Sequence, residues 1–305
     1  MSGVAVIRRF AQWPALRRRR IRIWAAMVLV IVTILGMHAA LPRWQLFPNL
    51  AEHLGPSTML VVFLVSLAGE YIDSALGMGY GTTLTSLLLL AGFEPLQIVP
   101  CVLISQAITG LGAAAMHHRD GNVDFIRDRK ARHTAFLLSA LSVVGAVTAV
   151  FFALHVTKFW LTAIIAVIVF SVGVVTLATA RHQLCFRPGH IMVMGALAAF
   201  NKGISGGGYG PLVTAGQVVS GISAKQAVGI TAAAEAFTCT IATISYFAMH
   251  PQLDLSLAFP LVSGALLSVP MATLTVRTLP EWAMRAGVGG MTCCLGFLTL
   301  VKLVW

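Results

Sequence analysis

The chain has 305 residues, of which 58% are hydrophobic and only 10% are charged. Soluble domains carry about a quarter charged residues, so this composition excludes an ordinary soluble protein. The net charge of +11 could indicate nucleic-acid binding. Basic residues beside apolar segments, however, mark the cytoplasmic side of membrane proteins, and we expect the lipid bilayer rather than nucleic acid as the partner.

The chain begins with a basic arm, residues 1–22, which includes part of the stretch RRRRIRIW at 17–24. The apolar run 23–41 follows and predicts an extra N-terminal transmembrane helix. Its long preceding arm favours an uncleaved anchor over a cleaved signal peptide. Further apolar runs of about 20 residues, the length that spans a bilayer, occupy 97–116, 134–154, 159–180, 226–248, 255–274 and 283–304.

A gapless shift of 129 residues aligns two segments of the chain. GMGYG at 77–81 falls on GGGYG at 206–210, and Gln97 falls on Gln226. We therefore predict two transmembrane repeats, 57–180 and 190–304. Each contains a glycine-broken helix pair followed by three spans, and the broken pairs are predicted at 57–72 with 82–91 and at 190–200 with 212–219. The sequence leaves open whether these pairs are re-entrant or span the membrane fully.

The distribution of basic residues predicts the orientation. With the N-terminus in the cytoplasm, 17 Lys and Arg residues fall inside and three fall outside, while Lys202 lies within the membrane. This asymmetry is the one that cytoplasmic loops carry, and it places the C-terminus outside. A broken pair plus three spans gives an odd number of crossings, so the repeats have opposite orientations. The predicted fold class is an all-α polytopic membrane protein with an inverted repeat, an architecture of secondary transporters.

The glycine breaks are predicted to bind an anion. Glycine permits positive φ and lets backbone N–H groups converge, and a helix that starts inside the protein attracts anions at its N-terminus. The alternative is that these glycines only allow close helix packing. The candidate substrate-binding residues are Gly77, Gly79, Tyr80, Gly81, Thr82, Thr83, Gln106, Lys202, Ser205, Gly206, Gly207, Gly208, Tyr209 and Gly210.

Carboxylates within apolar segments are candidates for proton coupling, because burying an ionisable group in a membrane is unfavourable unless it has a function. Glu235 aligns with Gln106 under the shift, and it could instead form a structural ion pair with Lys202. Glu70 and Asp73 share one helical face and could carry a proton or line an outer vestibule. Asp73 aligns with Lys202, which suggests that the two halves meet there. His117 and His118 are expected at the membrane interface.

No catalytic or cofactor motif accompanies these residues. The five cysteines lack metal-ligand spacing and support neither a disulfide framework nor a zinc site, so no metal or cofactor is expected. There is no nucleophile–base pair for an enzyme and no phosphate-binding loop for ATP. A secondary transporter is favoured, and the alternatives are a non-transporting assembly or sensor subunit or a membrane-embedded enzyme.

Several of these motifs resemble the TauE/SafE family, whose members are described as sulfite exporters. They are EYIDSALGMGYGT at 70–82, VPCVLISQAITG at 99–110, HHRDGNVDF at 117–125, NKGISGGGYGP at 201–211 and QAVGITAAAEAF at 226–237. The resemblance covers residues 57–304. It implies secondary transport of small sulfur-containing anions, such as sulfite or organosulfonates, across a bacterial cytoplasmic (inner) membrane. The direction, the coupling ion and the oligomeric state stay open.

Overall fold

The computed structural model describes residues 21–29, 33, 55–178, 188–210, 213–214, 217, 222–250, 252–275 and 281–304. These residues are mostly helical, and none of them forms a strand. The helices are α1 (Pro56–Leu76), α2 (Tyr80–Leu90), α3 (Pro95–Arg119), α4 (Arg129–His155), α5 (Lys158–Ala178), α6 (Pro188–Ser205), α7 (Ala224–Met249), α8 (Ala258–Thr275) and α9 (Glu281–Val304).

Several helices have the length and composition to cross a membrane. Among the described residues there are five such helices, which are α1, α3, α4, most of α5 and most of α7. Large apolar side chains such as Leu60, Phe136 and Trp160 are exposed on the protein surface, where a soluble protein would place polar groups. The chain is therefore an all-helical, polytopic membrane protein, as its composition predicts.

The first helix of each broken pair is longer than the sequence predicts. Helix α1 continues past 72 to Leu76, and α6 continues past 200 to Ser205. Each ends at a glycine with a left-handed backbone, Gly77 with φ of 72° and Gly206 with φ of 69°. Their N–H groups bond to the carbonyls of residues 73 and 202, which is how glycine terminates helices. Lys202 thus lies on the last turn of a helix rather than in the break.

The second helix of the second pair, predicted at 212–219, lies mostly outside the described residues. Residues 209–210, 213–214 and 217 are helical. The arm 1–22 and the span 23–41 also lie largely outside them, although 21–29 is helical. Residues Met1–Pro48 form a unit of their own, separate from Asn49–Trp305. The predicted domain boundaries remain predictions.

Equivalent helices of the two halves make equivalent packing contacts. Helices α3 and α7 begin 129 residues apart (95 and 224), as do α4 and α8 (129 and 258). Helix α1 packs mainly on α8, and its counterpart α6 packs on α4. Helix α3 packs on its own counterpart α7, and α5 packs on α9. This exchange is the pattern expected of two halves related by a two-fold rotation, and their opposite orientation in the membrane stays a prediction.

Equivalent glutamines secure the loops that precede α4 and α8. Gln97 donates a hydrogen bond to Asp254 at 2.7 Å, and Gln226 donates one to Asp128 at 3.0 Å. Asp128 also caps α4 by accepting bonds from the first backbone N–H groups of that helix. The two glutamines aligned by the 129-residue shift therefore have the same structural role in each half.

Candidate functional site

The two glycine breaks lie in direct backbone contact. A Cβ atom placed on Gly81 would overlap the carbonyl of Gly206, and one on the equivalent Gly210 would overlap the carbonyl of Gly77. A Cβ on Gly207 would overlap the backbone of Thr82. Close packing between the breaks therefore requires glycine at 81, 207 and 210.

Four further glycines shape the turns. Gly77, Gly79, Gly206 and Gly208 all have positive φ, between 69° and 120°, a conformation that other residues rarely adopt. These two pairs occupy equivalent positions in the repeat. The breaks are therefore left-handed turns that meet each other inside the protein, as well as sites of close packing.

Threonine side chains connect each break to the opposite half. The Thr85 hydroxyl donates to the carbonyl of Ser205 at 2.7 Å. Its counterpart Thr214 lies 3.2 Å from the carbonyl of Gly77 and 2.9 Å from the hydroxyl of Thr231. The helix ends before the glycines are thus held by side chains from the other half of the chain.

Lys202 forms the centre of a buried polar cluster between the halves. Its Nζ donates to Glu235 Oε1 at 2.6 Å and also to Gln106 Oε1. The Gln106 amide nitrogen donates to Glu235 Oε1 at 3.2 Å. The three residues are at most 5% exposed. A cation, its counter-charge and a bridging amide from α6, α7 and α3 therefore meet where the two halves pack.

Asp73, near the end of α1, places its carboxylate at the start of α2. One of its carboxylate oxygens accepts a bond from the backbone N–H of Tyr80 at 3.3 Å, and Lys202 and Glu235 are close enough to interact with it electrostatically. The first N–H of α2, which is expected to be open to an anion, is thus occupied by a carboxylate of the chain itself. An incoming anion would meet this charge beside Lys202.

Glu70 is buried one turn before Asp73. Its Oε1 lies 2.7 Å from the Ser74 hydroxyl, and its Oε2 lies 3.2 Å from the Thr109 hydroxyl. The side chain is 2% exposed. Glu70 therefore contacts neutral hydroxyl groups, whereas Glu235 contacts a cation.

A small cavity, large enough for about one water molecule, joins these groups. Its polar lining comes from α1, α3 and α7: Glu70, Asp73, Ser74, Gln106, Thr109 and Glu235. The structure thus brings together the three predicted proton-coupling carboxylates and Gln106. Lys202 reaches the same cluster through Gln106 and Glu235.

Other predicted site residues have structural partners instead. The Tyr80 hydroxyl bonds with Ser66 and Ser105, and the Ser205 hydroxyl receives the backbone N–H of Gly207. The Thr82 hydroxyl lies 3.3 Å from the carbonyl oxygen of Gly79. By contrast, Tyr209 and Thr83 are buried outside the cavity lining, and their hydroxyls have no hydrogen-bond partner among the described residues. Their predicted substrate contacts remain predictions.

The polar cluster also includes residues that the sequence analysis did not predict as site residues. Ser74 is four residues after Glu70 and so shares its helical face, a spacing that could have indicated it. His117, expected at the interface, is instead enclosed by protein. Its Nε2 lies 3.0 Å from the carbonyl of Ser74 and its Nδ1 lies 3.0 Å from the Asn122 amide nitrogen. His118 is partly exposed, and its position at the membrane interface stays a prediction.

The fold and its buried charges define a polytopic helical membrane protein. The family model described as "Sulfite exporter TauE/SafE" matches residues 61–299, so the chain belongs to the TauE/SafE family. The chain is also similar to the "Probable membrane transporter protein YtnM" of Bacillus subtilis (strain 168), with 26% identity over 258 residues, covering 80% of this chain and 83% of that protein. No solved structure matches the chain. The family resemblance seen in the sequence is confirmed, and a role as a membrane transporter is supported.

Proposed function

We propose that this protein is a secondary transporter of small anions, of the sulfite or organosulfonate type, in a bacterial cytoplasmic membrane. The observation that carries the proposal is the buried ammonium of Lys202 at the contact between the halves. Charged groups within membrane proteins are rare and mark substrate or ion pathways. The family and the relative support transport, and Lys202 supports an anionic substrate.

In this structure Glu235 neutralises Lys202 at 2.6 Å. An anion that binds Lys202 would have to replace Glu235, and a buried carboxylate left without a cation is strongly disfavoured. Uptake of a proton by a carboxylate of the cluster would remove that penalty. Anion binding and protonation are therefore linked in the proposal, with Glu235, Glu70 and Asp73 as the candidate proton carriers.

The glycine breaks are the proposed moving parts. They join α1 to α2 and α6 to the helical residues after 208, and their backbones touch without intervening side chains. A rotation of one half against the other would separate or re-form this contact, opening the cluster to either side in turn. The N-terminus is assigned to the cytoplasm and the C-terminus to the outside. No catalytic residue, metal or cofactor is assigned.

Reconstituted protein tests the proposal. Purified protein in liposomes should move labelled sulfite or a small organosulfonate, and these anions should raise its melting temperature by mass action. At the same anion concentration Lys202→Met should strongly reduce both effects, because its anion affinity is weaker. Lys158→Met is the matched control, because Lys158 is exposed and pairs with Glu94 away from the cluster. Neither flux nor stabilisation with any small anion tested would contradict the proposal and favour a non-transporting assembly or sensor subunit.

A further inference from the structure

We infer that Glu70 is held as a neutral carboxylic acid in this structure and is the group that carries the proton of the transport cycle. The proton-carrying role rests on the proposed function. The protonation state does not, because it follows from hydrogen bonds and burial alone. The inference distinguishes Glu70 from Asp73 and Glu235, which line the same cavity.

The hydrogen bonds around Glu70 indicate where its proton lies. The Thr109 hydroxyl has one hydrogen, and it lies 2.9 Å from the carbonyl of Ser105, four residues earlier in α3. Threonine in a helix commonly donates to this carbonyl. The same oxygen lies 3.2 Å from Glu70 Oε2. With the threonine hydrogen on the Ser105 carbonyl, a hydrogen on Glu70 completes this second contact.

A protonated Glu70 satisfies the hydrogen bonds of both of its carboxyl oxygens. Its Oε2–H donates to Thr109, while its Oε1 accepts from the Ser74 hydroxyl at 2.7 Å. An ionised Glu70 would instead place carboxylate and hydroxyl lone pairs against each other at Thr109. Each oxygen of the neutral acid therefore has one partner of the correct type.

The three carboxylates also differ in their positively charged or N–H partners. Glu235 has Lys202 at 2.6 Å. Asp73 has the Tyr80 N–H at the positive end of α2. Among the described residues, Glu70 forms no salt bridge, although it is 2% exposed. An ionised carboxylate buried without a cation is unfavourable, and such a group takes up a proton instead.

The remaining titratable groups around Glu70 do not supply a cation. Asp73 on α1 and Glu235 on α7 would add negative charge, and Lys202 on α6 is engaged by Glu235 and Gln106. Helix α8, the main neighbour of α1, has no titratable residue. Tyr80 on α2 is bonded to serines.

His117 on α3 is bonded to the carbonyl of Ser74 and to the amide nitrogen of Asn122. These two bonds direct both ring nitrogens to Ser74 and Asn122. A neutral Glu70 fits these surroundings.

The role in transport follows from solvent access. When the cavity opens, water can hydrate the carboxylate, and the Glu70 proton leaves to that water as hydronium. Closing the cavity again requires a proton to return, because the closed site provides no cation. Release and return of the Glu70 proton therefore accompany the opening and closing of the cavity.

Infrared spectroscopy tests the protonation state directly. The purified protein at neutral pH should show the carbonyl stretching band of a buried carboxylic acid, shifted in heavy water. The band should be lost in Glu70→Gln and retained in Glu94→Gln, since Glu94 is exposed at the surface. Absence of the band in the parent, or its persistence in Glu70→Gln, would overturn the inference.

A second variant keeps the test decisive if Glu70→Gln fails to fold. Thr109→Val removes the proposed acceptor of the Glu70 hydrogen. The carbonyl stretching band of the acid should therefore move to higher frequency, because its O–H group no longer donates a hydrogen bond. An unchanged band position would contradict the bonding assigned here. Thr240→Val is the control, because the Thr240 hydroxyl bonds to the Ala236 carbonyl of its own helix.

Transport separates this inference from the proposed function. In liposomes Glu70→Gln should lose anion accumulation driven by a pH gradient while exchange of anion for anion persists. Accumulation equal to that of the parent would overturn the proton-carrying role. If the parent shows the acid band but moves no anion, the proposed function fails and the protonation state of Glu70 stands.

Discussion

Gln106 and Glu235, which occupy equivalent positions 129 residues apart, are hydrogen bonded to each other at 3.2 Å. A residue can touch its own counterpart only where two related halves meet. Lys202 donates hydrogen bonds to both of them, so the buried cation lies at the interface between the two halves. This position makes the cluster sensitive to any movement of one half against the other.

The stability of the ion pair gives the first prediction. Because Lys202 and Glu235 are buried together, removing one partner should destabilise the protein by about 3–5 kcal/mol. Lys202→Met and Glu235→Gln should therefore each lower the melting temperature in detergent without substrate. The double variant should recover part of the loss. Additive losses in the double variant would show that the two side chains do not stabilise each other.

The second prediction concerns topology. Tags in the loop between α3 and α4, for example after Asp124, should be cytoplasmic, as should the N-terminus. A tag at Trp305 should be external. Accessibility of single introduced cysteines to a membrane-impermeant reagent measures this in whole cells. Both chain ends on one side would break the inverted-repeat argument.

The third prediction tests the contact between the breaks. Gly81→Ala and Gly210→Ala should both destabilise the protein, because the added methyl meets backbone of the other half. Forced overpacking costs typically about 1–3 kcal/mol. Gly112→Ala is the control, since its Cβ would meet nothing within 4 Å. Melting temperatures of the three variants measure the effect, and an equal response of all three would contradict the contact.

This geometry also limits what substitutions at 207 can decide. A side chain there overlaps the backbone of Thr82, so Gly207→Val should abolish transport whether or not the break binds an anion. Loss of activity at this position therefore reports packing. The anion site is better tested at side chains that leave the breaks intact.

Asp73 provides the fourth prediction. Its carboxylate competes with an anion for the N-terminus of α2 and for Lys202. Asp73→Asn keeps an oxygen for the Tyr80 N–H but removes a like charge, which is worth on the order of 1 kcal/mol. Anion affinity, measured by calorimetry, should tighten about fivefold. Glu94→Gln should leave it unchanged. Weaker binding by Asp73→Asn would indicate that Asp73 positions the site.

Local signals in the sequence predicted much of this architecture. Hydrophobic runs of bilayer length predicted the spans, and the matched glycine motifs predicted the two breaks. The helix ends were missed because Gly77 and Gly206 act as left-handed caps, so the helices continue to the glycines. Apolar periodicity does not report where such a cap falls.

Long-range packing determined what the sequence could not predict. The close approach of Gly81 to the Gly206 carbonyl depends on how two distant segments dock. The enclosure of His117 depends on Ser74 and Asn122, and a histidine at a helix end gives no sign of this. The 129-residue alignment of Gln106 with Glu235 was a usable signal, because equivalent residues can meet on a two-fold axis.

Anion affinity tests the central claim, that Lys202 binds the substrate, most directly. Removing a charge-assisted hydrogen bond loses on the order of 1.5–3 kcal/mol, so Lys202→Met should weaken sulfite or organosulfonate binding about tenfold to a hundredfold. Glu235→Gln should still bind the anion, at least as tightly as the parent, because the neutral amide no longer competes for Lys202. Calorimetry on the parent, both single variants and the double variant gives the answer. Affinity that is unchanged in all four proteins would contradict the account and leave Lys202 and Glu235 as a structural ion pair.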